Sequence, residues 1–586
     1  MGALFDSVKQ IWTVVKEGGV KDLPIRDYRL KFELPNYLKG RGERPETSAS
    51  SVAKVLRSYS ATPLVALEYA ISQLALLNRH KVSTWRRMRL LETYLRYLAP
   101  HIANVYLNCR DSHAVPESSA RRENLDRVGE ALRELSAGYE RIFDHDYRLS
   151  DLRYVINRPR LRQAGHRLLD LILTEQRVNA LRYQLLSPKR WAVCNQVFFI
   201  LWHYEDATQA VRLSGCIPTY LRDNRSVIET GAIKASAQQL YISIQLLGMV
   251  DTLTWPAEQI HVMDAYMKII EPKVKIREDA GGEVPSGHLL CLFGQDRPAV
   301  YARKDKYTTG LLLDISALKT QVNDDHAIIF SLPPEAAVEK MSPPLSVLGA
   351  QDRGLFLERL RLRLHPRLRR HERQHINQYE NMKAFFGFTE AHRRLHNIQH
   401  PKTKTKDTNT LSEMLAGRTS MLTDDSRQIK DEARWFVVND SEGGTQIKTR
   451  ETTYVTPMAI GQVALFNAID GAETDFIIGY IGRITRASGD LLITLIKLAD
   501  EVRAIAVQTP SEQKAEQAWP AFLIRNRNAR WQIVAHNKNR LSSGANVFLR
   551  QEKKTISVIL GETASRHEEF TIFSVQPENP AEEIAL

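Results

Sequence analysis

Cysteine is scarce in this sequence. Four residues, Cys109, Cys194, Cys216 and Cys291, stand far apart among 586 and form no C-x-x-C pair. That spacing excludes a disulfide framework and paired-thiolate zinc sites, and leaves ordinary buried thiols. Long apolar runs are missing too. No stretch of about 18 apolar residues occurs, so no membrane-spanning helix is expected. The start, MGALFDSVKQIW, lacks the basic segment and apolar core of a secretory signal, and the chain reads as cytoplasmic. There is no phosphate-binding G-x-x-x-x-G-K-[S/T] loop, no G-x-G-x-x-G turn after a strand and no G-x-S-x-G elbow. Kinase, dehydrogenase and hydrolase chemistry have no support, and the chain reads as a non-enzyme.

What is abundant is arginine in one place. The formal net charge is +13, with 43% hydrophobic and 25% charged residues, an ordinary balance for a globular chain. Between Gln351 and Thr405, thirteen Lys or Arg face five Asp or Glu. More than half of the excess therefore sits in about a tenth of the chain. Such concentration points to a local anion site or nucleic-acid patch, with a solvated helix face as the bland alternative.

The chain is too long for one core, and its periodicity changes along its length. Residues 1–50 read as a mixed segment, with a short helix at Leu4–Val15, and a linker. Residues 51–275 read as an α-helical domain. Thr62-Pro63 and Ser187-Pro188 start helices, and Leu64, Leu67, Ile71 and Leu74 share one face. A second helix is expected from Thr84 to Pro100, and others at Arg122–Ile142, Arg160–Leu186, Lys189–Ala210 and Ala232–Val250. The aromatic group Trp191, Phe198, Phe199, Trp202 and Tyr204 falls at helical spacing and reads as core. Residues 276–350 form a small α+β connector. Residues 351–400 hold an Arg-rich helix and loop, limited by Pro366, then a first strand over Met382–Phe388 and a short helix capped by Thr389. Residues 401–430 are polar and read as a flexible insertion. From residue 431 to 576 short strands follow one another, the pattern of an antiparallel barrel, with room for an appended second sheet. The fold class is thus α+β and multidomain, an all-α N-terminal region followed by a C-terminal β-barrel.

Two signals flank the insertion. Leu360–Gln374 reads LRLRLHPRLRRHERQ, in which Arg369 and Arg373 form R-x-x-x-R beside Arg370. Trp435–Thr445 reads WFVVNDSEGGT and contains Asn439-x-Ser441-x-x-Gly444. The guanidinium fork suits phosphate oxygens and the acceptor edge of guanine, and it stacks on bases. A short amide, a hydroxyl and a glycine permit close approach of a ligand to backbone. In this order, the two elements resemble the PilZ family of bacterial cyclic di-GMP receptors. Gly461–Leu465 followed by Ile478–Ile484, GQVAL and IGYIGRI, resembles a strand pair of the same barrel. The resemblance spans roughly residues 355–507. It implies a cyclic di-GMP site built from Arg369, Arg370, Arg373, Asn439, Ser441 and Gly444, with no metal and no other cofactor. It further implies a receptor that signals through a protein partner held by the helical domain. Arg363 and Arg367 form a second R-x-x-x-R, so two registers of the arginine pair stand open.

Three rival readings follow from the same region. His371-Glu372-Arg373-Gln374-His375 matches H-E-x-x-H, which on a helix places two zinc ligands one turn apart. Arg373 would set a cation beside that metal, and no third ligand follows in pattern. His392, His396 and His400 recur at four-residue spacing, which would suit a metal if one helix carried all three, and read as a solvated basic face. Phe385, Phe386 and Phe388 among basic residues can stack single-stranded nucleic acid, but Phe385 and Phe386 read as strand core. A barrel that has lost its ligand and serves as a scaffold is the remaining alternative.

Overall fold

The structure is a computed structural model that describes residues 30–38, 43–110, 115–148, 151–213, 233–279, 287–301, 310–365, 374–375, 381–400, 435–450, 457–467, 475–487, 489–510, 518–525, 530–539, 541–551 and 554–578. The expected helix at Leu4–Val15, the insertion at 401–430 and Cys216 lie outside these. The chain divides into two compact units. One comprises Met1–Ser112, Glu117–Thr252 and Ala257–Pro366, the other His113–Pro116, Leu253–Pro256 and Arg367–Leu586.

The first unit is largely helical. Its helices are α1 (Ala49–Ser58), α2 (Pro63–Arg79), α3 (Thr84–Arg110), α4 (Ser119–Tyr147), α5 (Asp151–Ala180), α6 (Pro188–His203), α7 (Ala237–Met249) and α8 (Ala257–Ile270). Thr62 and Ser187 are the N-caps that the Thr-Pro and Ser-Pro pairs announced, and Ser187 accepts the Arg190 N–H. Pro100 does not end α3. Leu98, Ala99, Ile102, Ala103 and Tyr106 are all buried around it, so packing outweighs the lost backbone bond. The helices expected to span Lys189–Ala210 and Ala232–Val250 are shorter, because β1 (Ala210–Leu213) and β2 (Ile233–Ser236) pair with each other. Trp191, Phe198 and Tyr204 are buried, with Phe198 stacked on Tyr241 at 3.7 Å. Cys109, Cys194 and Cys291 are buried thiols outside any disulfide, and burial pushes the Cys291 thiol up to about 12.

Much of the arginine of this unit is internal. Arg167 donates to both carboxylate oxygens of Glu92 at 2.9 and 2.7 Å, and the Tyr139 hydroxyl donates to the same Glu92 at 2.9 Å. This group joins α3, α4 and α5. Arg190 pairs with Glu140 at 2.7 Å and Glu175 at 2.8 Å. A four-stranded antiparallel sheet follows, in the order β3 (Lys275–Asp279), β6 (Gly310–Asp314), β4 (His288–Cys291), β5 (Val300–Tyr301). Asn195 of α6 holds the β4–β5 connection, donating to the Gln295 carbonyl at 2.7 Å while Tyr241 and Gln245 donate to its oxygen. The unit ends with α9 (Ser316–Ser331), α10 (Pro334–Lys340) and α11 (Ala350–Arg363).

The second unit contains the expected antiparallel barrel, and its strands divide into two rings. The first uses β7 (Gln374–His375), β8 (Asn381–Met382), β9 (Ala384–Phe386), β10 (Trp435–Ser441), β11 (Gly444–Arg450), β12 (Val463–Asn467), β13 (Phe476–Ala487) and β14 (Asp490–Ala499). Met382 pairs with Trp435 of β10, whereas Phe386 pairs with Ala464 of β12. The single segment Asn381–Phe386 thus meets both edges of the sheet and closes the ring. Counting that segment as the first strand, neighbours run 1-2-3-6-5-4. The second ring is a closed barrel of β15 (Glu501–Gln508), β16 (Trp519–Arg525), β17 (Trp531–His536), β18 (Asn546–Gln551), β19 (Lys554–Arg566) and β20 (Phe570–Pro577). Its order, β15-β16-β17-β20-β19-β18, is again 1-2-3-6-5-4. One topology occurs twice in tandem.

Helix α12 (Phe388–Gln399) joins the rings. Its Phe388, Ala391 and Leu395 share a core with Val463, Leu465, Phe476 and Ile478 of the first ring and Phe522, Ile524, Phe570 and Ile572 of the second. The helix starts at Phe388 behind Gly387, one residue before the expected Thr389 cap, and the acceptor comes from far away. Glu569 accepts the Phe388 N–H at 2.9 Å and the Val463 N–H at 2.7 Å. Burial pushes the Glu569 carboxyl up, against the pull of those two bonds. At the other end, Gln399 grips the edge of β15, donating to the Val502 carbonyl and accepting the Ala504 N–H, both at 2.9 Å.

The solvated face expected for His392 is corrected here: His392 is buried, and its Nε2 donates to the Ile505 carbonyl at 2.9 Å. Burial lowers its pKa from 6.5 to about 4. The unfolded chain therefore takes up this proton first, and stability present above pH 6.5 is lost as the pH falls toward 4. The full effect is about 3 kcal/mol. In His392→Gln, which keeps a donor, the melting temperature should fall less on acidification than in the wild type. Parallel pH profiles of the two proteins would disprove the assignment.

Candidate functional site

The Asn439–Gly444 motif is the hairpin between β10 and β11, strands two and three of the first ring. Ser441 pairs with Gly444, leaving Glu442 and Gly443 as a two-residue turn. Ser441 Oγ donates to the Gly444 carbonyl at 2.9 Å and closes the turn. Gly444 is required by its neighbour strand: a Cβ there would lie 2.4 Å from the Leu495 carbonyl oxygen of β14. Gly479 of β13 meets the same strand, with a Cβ position 2.3 Å from the Ile496 oxygen.

A bulge decides which way Asn439 faces. The register slips between Val437, which opposes Ile447, and Asn439, which opposes Gln446. Val437, Ile447, Ile493 and Ile484 form one buried cross-strand row. Asn439, Gln446, Thr494 and Arg483 form the adjacent row, on the opposite face of the sheet. The two rows separate the ring's core from its polar wall. Asn439 Nδ2 donates to Gln446 Oε1 at 2.7 Å and is only 7% exposed. Asp440 points the other way, pairing with Lys497 at 3.1 Å and accepting the Thr445 hydroxyl.

Arg369, Arg370 and Arg373 lie outside the described residues. The strand that directly follows them does not. In β7, Gln374 pairs with Asp440 and His375 with Asn439. The residue after Arg373 is therefore hydrogen-bonded against the motif hairpin, despite the long insertion between them in sequence. The rival register has other commitments: Arg363, in the last turn of α11, pairs with Asp251 at 3.6 Å.

The H-E-x-x-H reading is corrected by the same pairing, because His375 is in a β-strand and not on a helix. No cluster of three or more potential ligands occurs among the described residues. The aromatic side chains are committed as well. Phe386 and Phe388 are buried, and Phe385 lies beneath Arg394, whose guanidinium is 4.9 Å from its ring centre. No described helix is long and apolar enough to cross a membrane. Sequence reasoning missed Gln446 and Thr494 as wall residues, since only the bulge aligns them with Asn439. Arg483 was visible within IGYIGRI, but nothing in the spacing assigned it to this face.

The first ring and its hairpin define an antiparallel six-stranded β-barrel arrangement. Residues 52–280 match a family model described as the cyclic-di-GMP receptor FimW, N-terminal domain. That match covers less than half of the chain and falls on the helical unit, and it agrees with the PilZ-type resemblance of the C-terminal part. No curated protein and no solved structure matches the chain.

Proposed function

We propose that this protein is a cytoplasmic cyclic di-GMP receptor that binds its ligand at the β10–β11 hairpin without chemistry. The observation that carries this reading is the β7–β10 pairing, which sets the two residues after Arg373, Gln374 and His375, against Asp440 and Asn439. Arg369 and Arg373, with Arg370 adjacent, grip phosphates and guanine edges by bidentate bonds. Asn439, Ser441 and Gly444 form the facing wall, extended by Gln446, Thr494 and Arg483. The Arg-rich segment follows α11 directly in sequence, so a ligand gripped by it acts on the connection to the helical unit. The helical unit then presents the surface read by a protein partner, and signalling is a shift in population between two arrangements.

A second reading has its own support. Ser441 and Asn439 are satisfied within the hairpin, as expected of a turn that binds nothing and belongs to a scaffold. Calorimetry with cyclic di-GMP decides between them. The wild type should bind at micromolar concentration or below, and Arg369→Ala/Arg373→Ala should weaken binding by about a hundredfold or more, the loss of two bidentate charge-assisted contacts. Absence of heat in the wild type would leave the scaffold.

A further inference from the structure

We propose that the exposed face of α3 is a docking surface for an acidic segment of a partner protein, with Trp85 as its anchor. The proposal rests on the receptor reading only for its purpose; its observations lie in the helical unit. Trp85 is 71% exposed, the largest side chain among the exposed hydrophobic residues described. Arg86, Arg89 and Arg96 are exposed on the same helix, within a span of about 16 Å. None of these three guanidiniums has an ion pair or hydrogen bond with a described residue. The sole acid between Thr84 and Arg110 is Glu92, and it is turned inward onto Arg167 and Tyr139.

This arrangement is costly where it stands. The first turn of α3 contains no acid, and Arg86, Arg87 and Arg89 crowd its positive end. Each cation near a helix N-terminus is unfavourable, because the unpaired N–H groups there already carry positive charge. Arg87 has a structural reason to be there. It is buried and donates to the Leu77 carbonyl at 2.8 Å and the His80 carbonyl at 2.9 Å, fixing the start of α3 against the end of α2. That anchoring holds Trp85 outward. Arg86, Arg89 and Arg96 have no such internal task.

An exposed tryptophan ringed by arginines is the residue composition that dominates binding energy at protein interfaces. The unopposed positive charge selects a carboxylate-bearing partner. A lipid surface is disfavoured, since a single apolar side chain projects from this stripe where an interfacial helix needs an apolar face.

Fluorescence anisotropy of the full chain with a labelled short peptide of alternating Asp, Glu and Leu tests this. Saturable binding should weaken about tenfold or more in Trp85→Ala and in Arg86→Ala/Arg89→Ala/Arg96→Ala, with unchanged helicity. Lys554→Ala/Arg566→Ala, which removes exposed charges elsewhere, should bind as the wild type does. Equal binding by all variants, or no binding, would overturn the proposal. So would variant-sensitive binding of phosphatidylglycerol vesicles or oligo-dT in place of the peptide. Calorimetry of the α3 variants with cyclic di-GMP should match the wild type. A loss confined to Arg369→Ala/Arg373→Ala keeps the two readings separable.

Discussion

Gly444→Ala should destabilise the first ring by about 3 kcal/mol, the upper end of the over-packing range. The added methyl meets a backbone carbonyl, which cannot rotate away as a side-chain tip can. Gly479→Ala should cost a similar amount, because its methyl presses the next carbonyl of the same strand, while leaving the hairpin's polar groups untouched. Thermal unfolding of both variants separates two roles for Gly444. Equal losses mean that the glycine of the motif serves strand packing, and ligand binding fails with the fold. A Gly444→Ala protein with a wild-type melting temperature and no affinity for cyclic di-GMP would instead show that the glycine makes room for the ligand.

Glu92→Ala should be as damaging in the helical unit, at about 3–5 kcal/mol. Arg167 is 1% exposed, and removing Glu92 takes away both of its short carboxylate bonds. Asp170 remains, 3.8 Å away. Tyr139 loses its acceptor in the same step. Urea denaturation followed by helical circular dichroism gives the cost directly. A loss below about 1 kcal/mol would mean that water reaches the cluster and screens it as at a surface.

The helical unit was largely legible because its apolar residues recur at three- and four-residue spacing and two of its helices begin at Thr-Pro or Ser-Pro. Its internal ion pairs were not. Nothing in the sequence distinguishes Arg167, buried on Glu92, from Arg89, which faces solvent. The strands from Trp435 onward were legible one by one, with one omission. In β11, Gly444–Arg450, two of the three buried positions are Thr445 and Thr449, so the apolar alternation that marks a strand is absent. The division into two rings was not legible, because alternation reports which face is buried and not which strands close on each other. The cap of α12 failed for a related reason: local residues suggest Thr389, while the acceptor lies far along the chain. In the candidate site, the motif residues could be nominated by type. Their wall could not, because it depends on a bulge at Val438.

Glu569 has a consequence for how the molecule is made. Phe388 and its carboxylate acceptor stand 181 residues apart, and Val463 and the same carboxylate 106 apart. During synthesis every strand of the first ring leaves the ribosome before residue 500, yet the backbone N–H groups of Val463 in that ring and of Phe388 in α12 wait for a side chain made much later. Until the β19–β20 hairpin arrives, the start of α12 is open to water and free to fray. The order of translation therefore makes the last hairpin a proofreading step for the first ring. A premature stop between Gln508 and Phe570 would leave the start of α12 and the start of β12 without their acceptor although their own residues were all correctly made.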